Sequence, residues 1–111
     1  MAQGGGDVWD GRGGPAGLIE TMRRALRVRH YSSRTEEAYL HWVGRFLEFH
    51  RDREPGELAE REVQRFLEHL ALERNVSAST QNQAFSALLF LFGTVLGRPL
   101  ESVAGTIRAR R

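Results

Sequence analysis

Apolar residues recur at helical spacing in four stretches of the chain, and nowhere do they alternate with the period of a strand. In the first stretch, about residues 16–28, Ile19, Met22 and Leu26 make a narrow apolar stripe on a surface otherwise rich in arginine. In the second, residues 34–50, Tyr39, Trp42, Val43, Phe46 and Phe49 share one face. The third, residues 60–74, carries Val63, Phe66, Leu67 and Leu70, with Asn75 placed as a C-terminal cap. The fourth begins after Ser77 and runs to about residue 96, where Gly97 and Pro99 stop it. A charged turn ending in Pro55-Gly56 separates the second from the third. The pattern predicts an all-α domain, a compact bundle of four helices around one core.

The fourth helix carries no charged residue over 77–96. At about 100° per residue, Phe85, Leu88, Leu89, Phe92 and Val95 fall on its core side, whereas Ser79, Asn82, Gln83 and Ser86 fall on the other. With Thr80 and Gln81, the second set presents neutral donors and acceptors, a chemistry suited to base edges and phosphates. An ordinary polar helix start, where Ser and Thr favour caps, has the same composition. Phe90 falls near the polar side and is expected to cover another helix or a partner.

The start of the second helix carries a different signal. Ser33 and Glu36 have capping-box spacing, in which each side chain satisfies the other's backbone N–H. Arg34 and Thr35 then occupy the first turn, where a cation opposes the helix dipole. An arginine, a hydroxyl and free N–H groups at a helix start suit an external anion such as a phosphate.

Charge distribution sharpens this. The net charge is only +2, but residues 23–34 hold Arg23, Arg24, Arg27, Arg29 and Arg34 with no acid. The tail adds Arg98, Arg108, Arg110 and Arg111 against Glu101 alone. Two basic ends around a mixed middle point to contact with a polyanion. All 16 basic residues are arginine. Arginine binds phosphate bidentately where lysine does not, although a GC-rich coding sequence produces the same bias.

The 111 residues make one domain, and 41% apolar content supports a single core. Seven of the 12 glycines lie in residues 1–17, a segment expected to be a disordered leader, neither signal peptide nor membrane anchor. Residues 18–100 are the expected domain, and 101–111 an outgoing linker. The absence of cysteine excludes disulfides and thiolate metal sites, and a cytoplasmic protein is the simplest reading. His30, His41, His50 and His69 make no metal-ligand pattern, and Glu57, Glu60, Glu62, Glu68 and Glu73 read as solvated helix faces. No cofactor, metal site or catalytic centre is expected.

Residues 30–46 read His-Tyr-Ser-Ser-Arg-Thr-Glu-Glu-Ala-Tyr-Leu-His-Trp-Val-Gly-Arg-Phe. This block closely resembles the start of the N-terminal core-binding domain of tyrosine recombinases, specifically the integron integrases. The similarity continues through Val63-Gln64-Arg65-Phe66-Leu67, Val76-Ser77-Ala78-Ser79-Thr80-Gln81-Asn82-Gln83-Ala84 and Ala87-Leu88-Leu89-Phe90-Leu91-Phe92. The resemblance implies a SAM-like four-helix bundle forming one half of a clamp on recombination-site DNA and contributing to contacts between integrase protomers. By position it carries DNA contact onto His30, Tyr31, Arg34 and Thr35 at the second helix start. At the fourth it carries contact onto Ser79, Thr80, Gln83 and Asn82. The two helix starts are expected side by side on one surface, gripping a sugar–phosphate strand. In that family the Arg, His and Tyr catalytic domain follows, and this sequence stops short of it, so the chain is expected to be no enzyme by itself. The alternatives are an interaction module pairing with intact protomers through Phe90 and residues 100–107, or a non-functional truncated fragment.

Overall fold

The computed structural model describes residues 8–100. The first helix, α1 (Gly14–Val28), follows Gly13 in a left-handed conformation (φ 82°) and has proline in its first turn, where the missing N–H costs nothing. Its end is a Schellman turn. The N–H of Tyr31 reaches Leu26 O at 3.1 Å and that of His30 reaches Arg27 O at 2.9 Å, with His30 left-handed at φ 62°. Helix α2 (Ser33–Phe49) is capped by Ser32, whose Oγ accepts from the Thr35 N–H at 3.1 Å. The expected Ser33–Glu36 capping box is therefore corrected. The cap sits one residue earlier, and the Glu36 side chain is drawn to arginines of α1. A 3₁₀ turn (Pro55–Glu57) leads into α3 (Glu60–Leu72). Glu62 reaches back to the Ala59 N–H at 2.8 Å, and Asn75 (φ 54°) lies left-handed just past the end of α3, as its position predicts. Helix α4 (Ala78–Phe90) repeats the α2 cap, with Ser77 Oγ accepting from the Thr80 N–H at 3.1 Å. It continues as a single π turn (Leu91–Val95). Among the described residues the fold is all-α, with four helices and no strand.

The core is built around Phe46, which meets Phe66 and Phe92 edge-on at 5.6 and 6.1 Å between ring centroids. Leu18, Met22, Leu26, Val43, Leu67, Leu70, Leu88 and Leu91 pack around these rings with less than 2% exposure. The stripes read from periodicity supply most of this core. Ile19, Tyr39 and Leu89 are only partly buried against it, and Phe49 departs furthest. It lies at the end of α2 with 40% of its surface exposed, packed on Phe66 and His69 at the rim.

Two glutamates clasp helices together. Glu36 is buried and receives a bidentate pair of hydrogen bonds from Arg27, Nε and Nη2 each at 3.1 Å, with Arg23 at 3.6 Å. The pair joins the end of α1 to the start of α2. Glu62 is also buried, correcting its reading as a solvated residue. It accepts from Arg53 at 3.0 Å, while its own carbonyl lies 2.9 Å from His50 Nε2. Burial pushes the Glu62 carboxyl up, but the Ala59 N–H, its own N–H and Arg53 outweigh that and hold it below the usual carboxylate value. Between α3 and α4, buried Gln81 donates to Leu67 O at 2.9 Å.

The expected disordered leader through Gly17 is corrected for residues 8–17; residues 1–7 and 101–111 lie outside the described residues. Trp9 packs against the core, its backbone N–H donates to Val95 O at 2.8 Å, and its indole donates to Arg12 O at 2.9 Å. This fold-back lays Arg12 O directly over Gly17, where a Cβ would collide with it. Glycine content alone conceals this, because one buried-edge tryptophan supplies the apolar surface that the composition of the segment lacks.

Two outcomes follow. Alanine favours a helix over glycine by about 1 kcal/mol, yet Gly17→Ala should expel the 8–13 segment and lower Tm. The Trp9 indole N–H should lose its protection from solvent exchange in NMR, and a protected indole with a raised Tm would contradict this packing. For Glu36, the Arg27 hydrogen bond, then the Arg27 and Arg23 charges, hold the carboxyl below its ordinary value against partial burial. A carboxyl depressed in the folded state stabilises above its unfolded pKa of about 4.3, and that stability is lost as pH falls through the folded value. Glu36→Gln should therefore flatten the acid limb of a Tm-against-pH curve below about pH 4.3, leaving the residual slope contributed by Glu62.

Candidate nucleic-acid interface

Three side-chain contacts define how α2 and α4 lie against each other. The Tyr31 ring, just before α2, meets Phe90 at the far end of α4 at 5.4 Å. Tyr39 lies 6.2 Å from the same phenylalanine. Further along α2, Trp42 Nε1 donates to Gln83 Oε1 at 3.1 Å. As α2 advances from 31 to 42, its partners on α4 step backward from 90 to 83, so the helices run antiparallel. The expected side-by-side helix starts are corrected. Tyr31 and the start of α2 sit beside the end of α4, while Gln83, in the first half of α4, lies beside Trp42, further along α2. At 1.5 Å per residue, Thr35 and Thr80 are separated by about 15 Å along the helix axes. Periodicity identifies the faces but says nothing of the direction in which two helices dock.

The eight residues singled out in the sequence fall into two groups on this seam. His30 and Tyr31 form the turn between α1 and α2, and Arg34 and Thr35 the first turn of α2. His30, Tyr31 and Arg34 are exposed. His30 and Tyr31 border a hollow of about 650 Å³ with Arg23, Arg27, Ser33 and Glu37. Ser79, Asn82 and Gln83 are exposed on α4, and Thr80 is half-buried beside its cap. Phe90 is half-buried and covers Tyr31, just before α2, and Tyr39 within it, answering the question its position raised. Burial, and secondly the neighbouring Tyr31, push the Tyr39 phenol above its usual pKa, partly offset by Ser86.

The basic stretch 23–34 is less free than its composition suggests. Arg23 and Arg24 reach Glu20 at 3.3 and 3.9 Å, and Arg27 is committed to Glu36. Arg29 donates to Ala25 O at 3.1 Å, with its guanidinium 5.9 Å from the Phe90 ring centre. Arg98 is committed as well, donating to Leu58 O at 2.8 Å and lying over Phe92 at 5.4 Å. Arg108, Arg110 and Arg111 lie outside the described residues. Among the described residues, Arg34 and Arg45 are the α2 cations with no acid partner. Arg34, Ala38, His41 and Arg45 follow at intervals of four, three and four, forming one strip of α2 that borders Trp42. Arg45 lies 5.5 Å from the Trp42 ring centre and His41 packs on its edge at 5.1 Å. Sequence reasoning passed over Arg45, His41 and Trp42. The spacing from Trp42 to Arg45 was the available signal, and it becomes meaningful only once α4 is known to lie alongside.

A groove of about 690 Å³ lies elsewhere, between the end of α2 and α3, with Phe49, Arg61, Arg65, Glu68 and His69 in its walls. Its charges alternate in sign, which disfavours a polyanion. Among the described residues no cluster of three His, Asp or Glu is placed to hold a metal, and no helix is long and apolar enough to cross a membrane.

Residues 18–102 match the family described as phage integrase, N-terminal SAM-like domain. Two proteins called integrase/recombinase, from Escherichia coli and Pseudomonas aeruginosa, are each 51% identical to the chain over 79 residues. That segment is 71% of this chain but 23% of either relative, so the chain spans about a quarter of the length of the curated proteins it matches. With four helices where the family's domain matches, the chain belongs to the phage integrase N-terminal SAM-like domain family.

Proposed function

We propose that this domain binds duplex DNA at a recombination site, as the core-binding part of a tyrosine-type site-specific recombinase of the integron or phage integrase kind. The observation that carries the reading is the α2–α4 seam. It places an unpaired arginine at one end and a row of uncharged, exposed hydrogen-bonding side chains about 15 Å away at the other. That separation is on the scale of the roughly 12 Å major groove. His30, Tyr31, Arg34 and Thr35 then meet the backbone, while Ser79, Thr80, Asn82 and Gln83 approach base edges. This replaces the grip on a single strand with contact across a groove. Strand cleavage is assigned to the part of the recombinase that follows this domain in its relatives. Pairing with other integrase protomers is a second role, but the seam removes Phe90 as its anchor, since that ring is taken up by Tyr31 and Tyr39.

Binding should weaken steeply with salt, because phosphate contacts release counterions. In fluorescence anisotropy on recombination-site duplex, Arg34→Ala should lower the slope of log K against log salt by about 1. The double variant Arg34→Ala/Gln83→Ala should bind at least about tenfold more weakly at 100 mM salt. Parent-like affinity in the double variant would show the wrong face to have been assigned. Incubated with supercoiled attachment-site DNA, the chain should give neither a nick nor a covalent adduct on a denaturing gel.

A further inference from the structure

An indole N–H can only donate, so the Gln83 amide atom 3.1 Å from Trp42 Nε1 is its oxygen. This fixes the orientation of a side chain that is otherwise exposed. With Oε1 turned into the seam, the Gln83 NH₂ is the group left for a partner, and it offers donors alone. The Arg45 guanidinium, which shares the Trp42 ring at 5.5 Å and has no acid partner among the described residues, also offers donors alone. A free glutamine reads adenine by using both amide atoms, accepting from N6 and donating to N7. That mode is disfavoured here, because the indole takes one of the oxygen's two lone pairs and turns the atom into the seam. Guanine presents two acceptors, N7 and O6, on its major-groove edge, and suits a surface made only of donors.

Resting on the DNA-binding reading above, we infer that Trp42 is a positioning residue that locks Gln83 with its NH₂ outward. With Arg45, the start of α4 thereby selects acceptor-only base edges, guanine over adenine. Trp42 touches no base in this arrangement. It acts through the amide it holds, and its removal frees Gln83 to rotate and accept adenine.

Selection from a random-sequence duplex library, followed by sequencing of the retained DNA, tests this with the full chain. The parent should enrich guanine over adenine by about tenfold at one position whose preference disappears in Gln83→Met. Trp42→Phe, checked for folding by circular dichroism, should bring guanine and adenine within about twofold there. Since Trp42 is nearly buried (7% exposed), a variant that does not depend on removing it is also needed. Gln83→Glu keeps an acceptor for the indole and turns an acceptor outward. Guanine enrichment should give way to cytosine, whose N4 amine donates. Adenine enrichment by the parent at the Gln83-dependent position would overturn the inference. So would unchanged guanine preference in Gln83→Glu, or binding by the parent without base preference. Failure of the parent to retain any duplex at low salt would instead end the DNA-binding reading itself.

Discussion

The antiparallel seam between α2 and α4 is the constraint on which the remaining features depend. It is closed by three side-chain contacts: the Tyr31–Phe90 edge contact, the tilted Tyr39–Phe90 ring contact and the Trp42–Gln83 hydrogen bond. Each uses a residue near the boundary between the apolar and polar sides of its helix. A charged side chain at position 90 would lie against the rings of Tyr31 and Tyr39 and lose much of its hydration, a costly placement. The missing charge in α4 thus has a partly structural cause. Ser79 and Asn82 point away from the seam and are exposed, so the seam does not account for their neutrality.

The electrostatics divide along the same line. Most arginines of α1 are consumed within the fold by Glu20 and Glu36, and Arg53 is consumed by Glu62. The two buried glutamates therefore do more than balance charge. Glu36 fixes the angle at which α2 leaves the α1 turn, and Glu62 ties the start of α3 to the segment that follows α2. Removing Glu36 would leave Arg27 without its acid, whereas Arg23 keeps Glu20 and, were Glu62 removed, Arg53 would keep Glu57; either loss would loosen a helix junction. The cations left without an acid on α2, Arg34 and Arg45, lie on the strip that borders the seam. Arg61, Arg65 and Arg74 also have no acid partner among the described residues, but they lie on or just after α3, where Arg61 and Arg65 share a groove with Glu62, Glu68 and Glu73.

How much of this was legible beforehand depended on the range of the interaction. The four helices, the stops at Asn75 and Gly97 and the core residues Met22, Phe46, Phe66 and Phe92 follow from periodicity and local backbone chemistry, and the structure bears them out. The cap of α2 was displaced by one residue because Ser32 and Ser33 are equally good local caps. The choice was made by Glu36, which Arg27 draws away from the backbone across a nine-residue separation. Trp9 was hidden for the same reason: its value lies in reaching Val95, far along the chain, while its neighbours are glycines. The adjacency of the two helix starts failed most plainly. Each start was identified from local signals, but their relative position is a property of how α2 and α4 dock, and antiparallel docking sent them to opposite ends of a shared seam.

That separation gives the proposed interface two chemically distinct ends. At the α2 start, the groups proposed to meet DNA are Arg34, the Thr35 hydroxyl and the helix N–H groups. All of these favour phosphate regardless of sequence, and the charge term is screened by salt. At the α4 start, Ser79, Asn82 and Gln83 bring no charge of their own. Their hydrogen bonds are short-ranged, weakly dependent on salt and sensitive to which base faces them. Arg45 lies between these regimes, a cation held beside the neutral row by the Trp42 ring. A single cluster of charged and neutral groups would couple affinity to sequence preference. In the proposed mode, spreading them about 15 Å apart along two rigid helices would let one end hold the duplex while the other tests its edge. The Trp42 indole, bonded to Gln83 and stacked with Arg45, is where the fold's core meets that test.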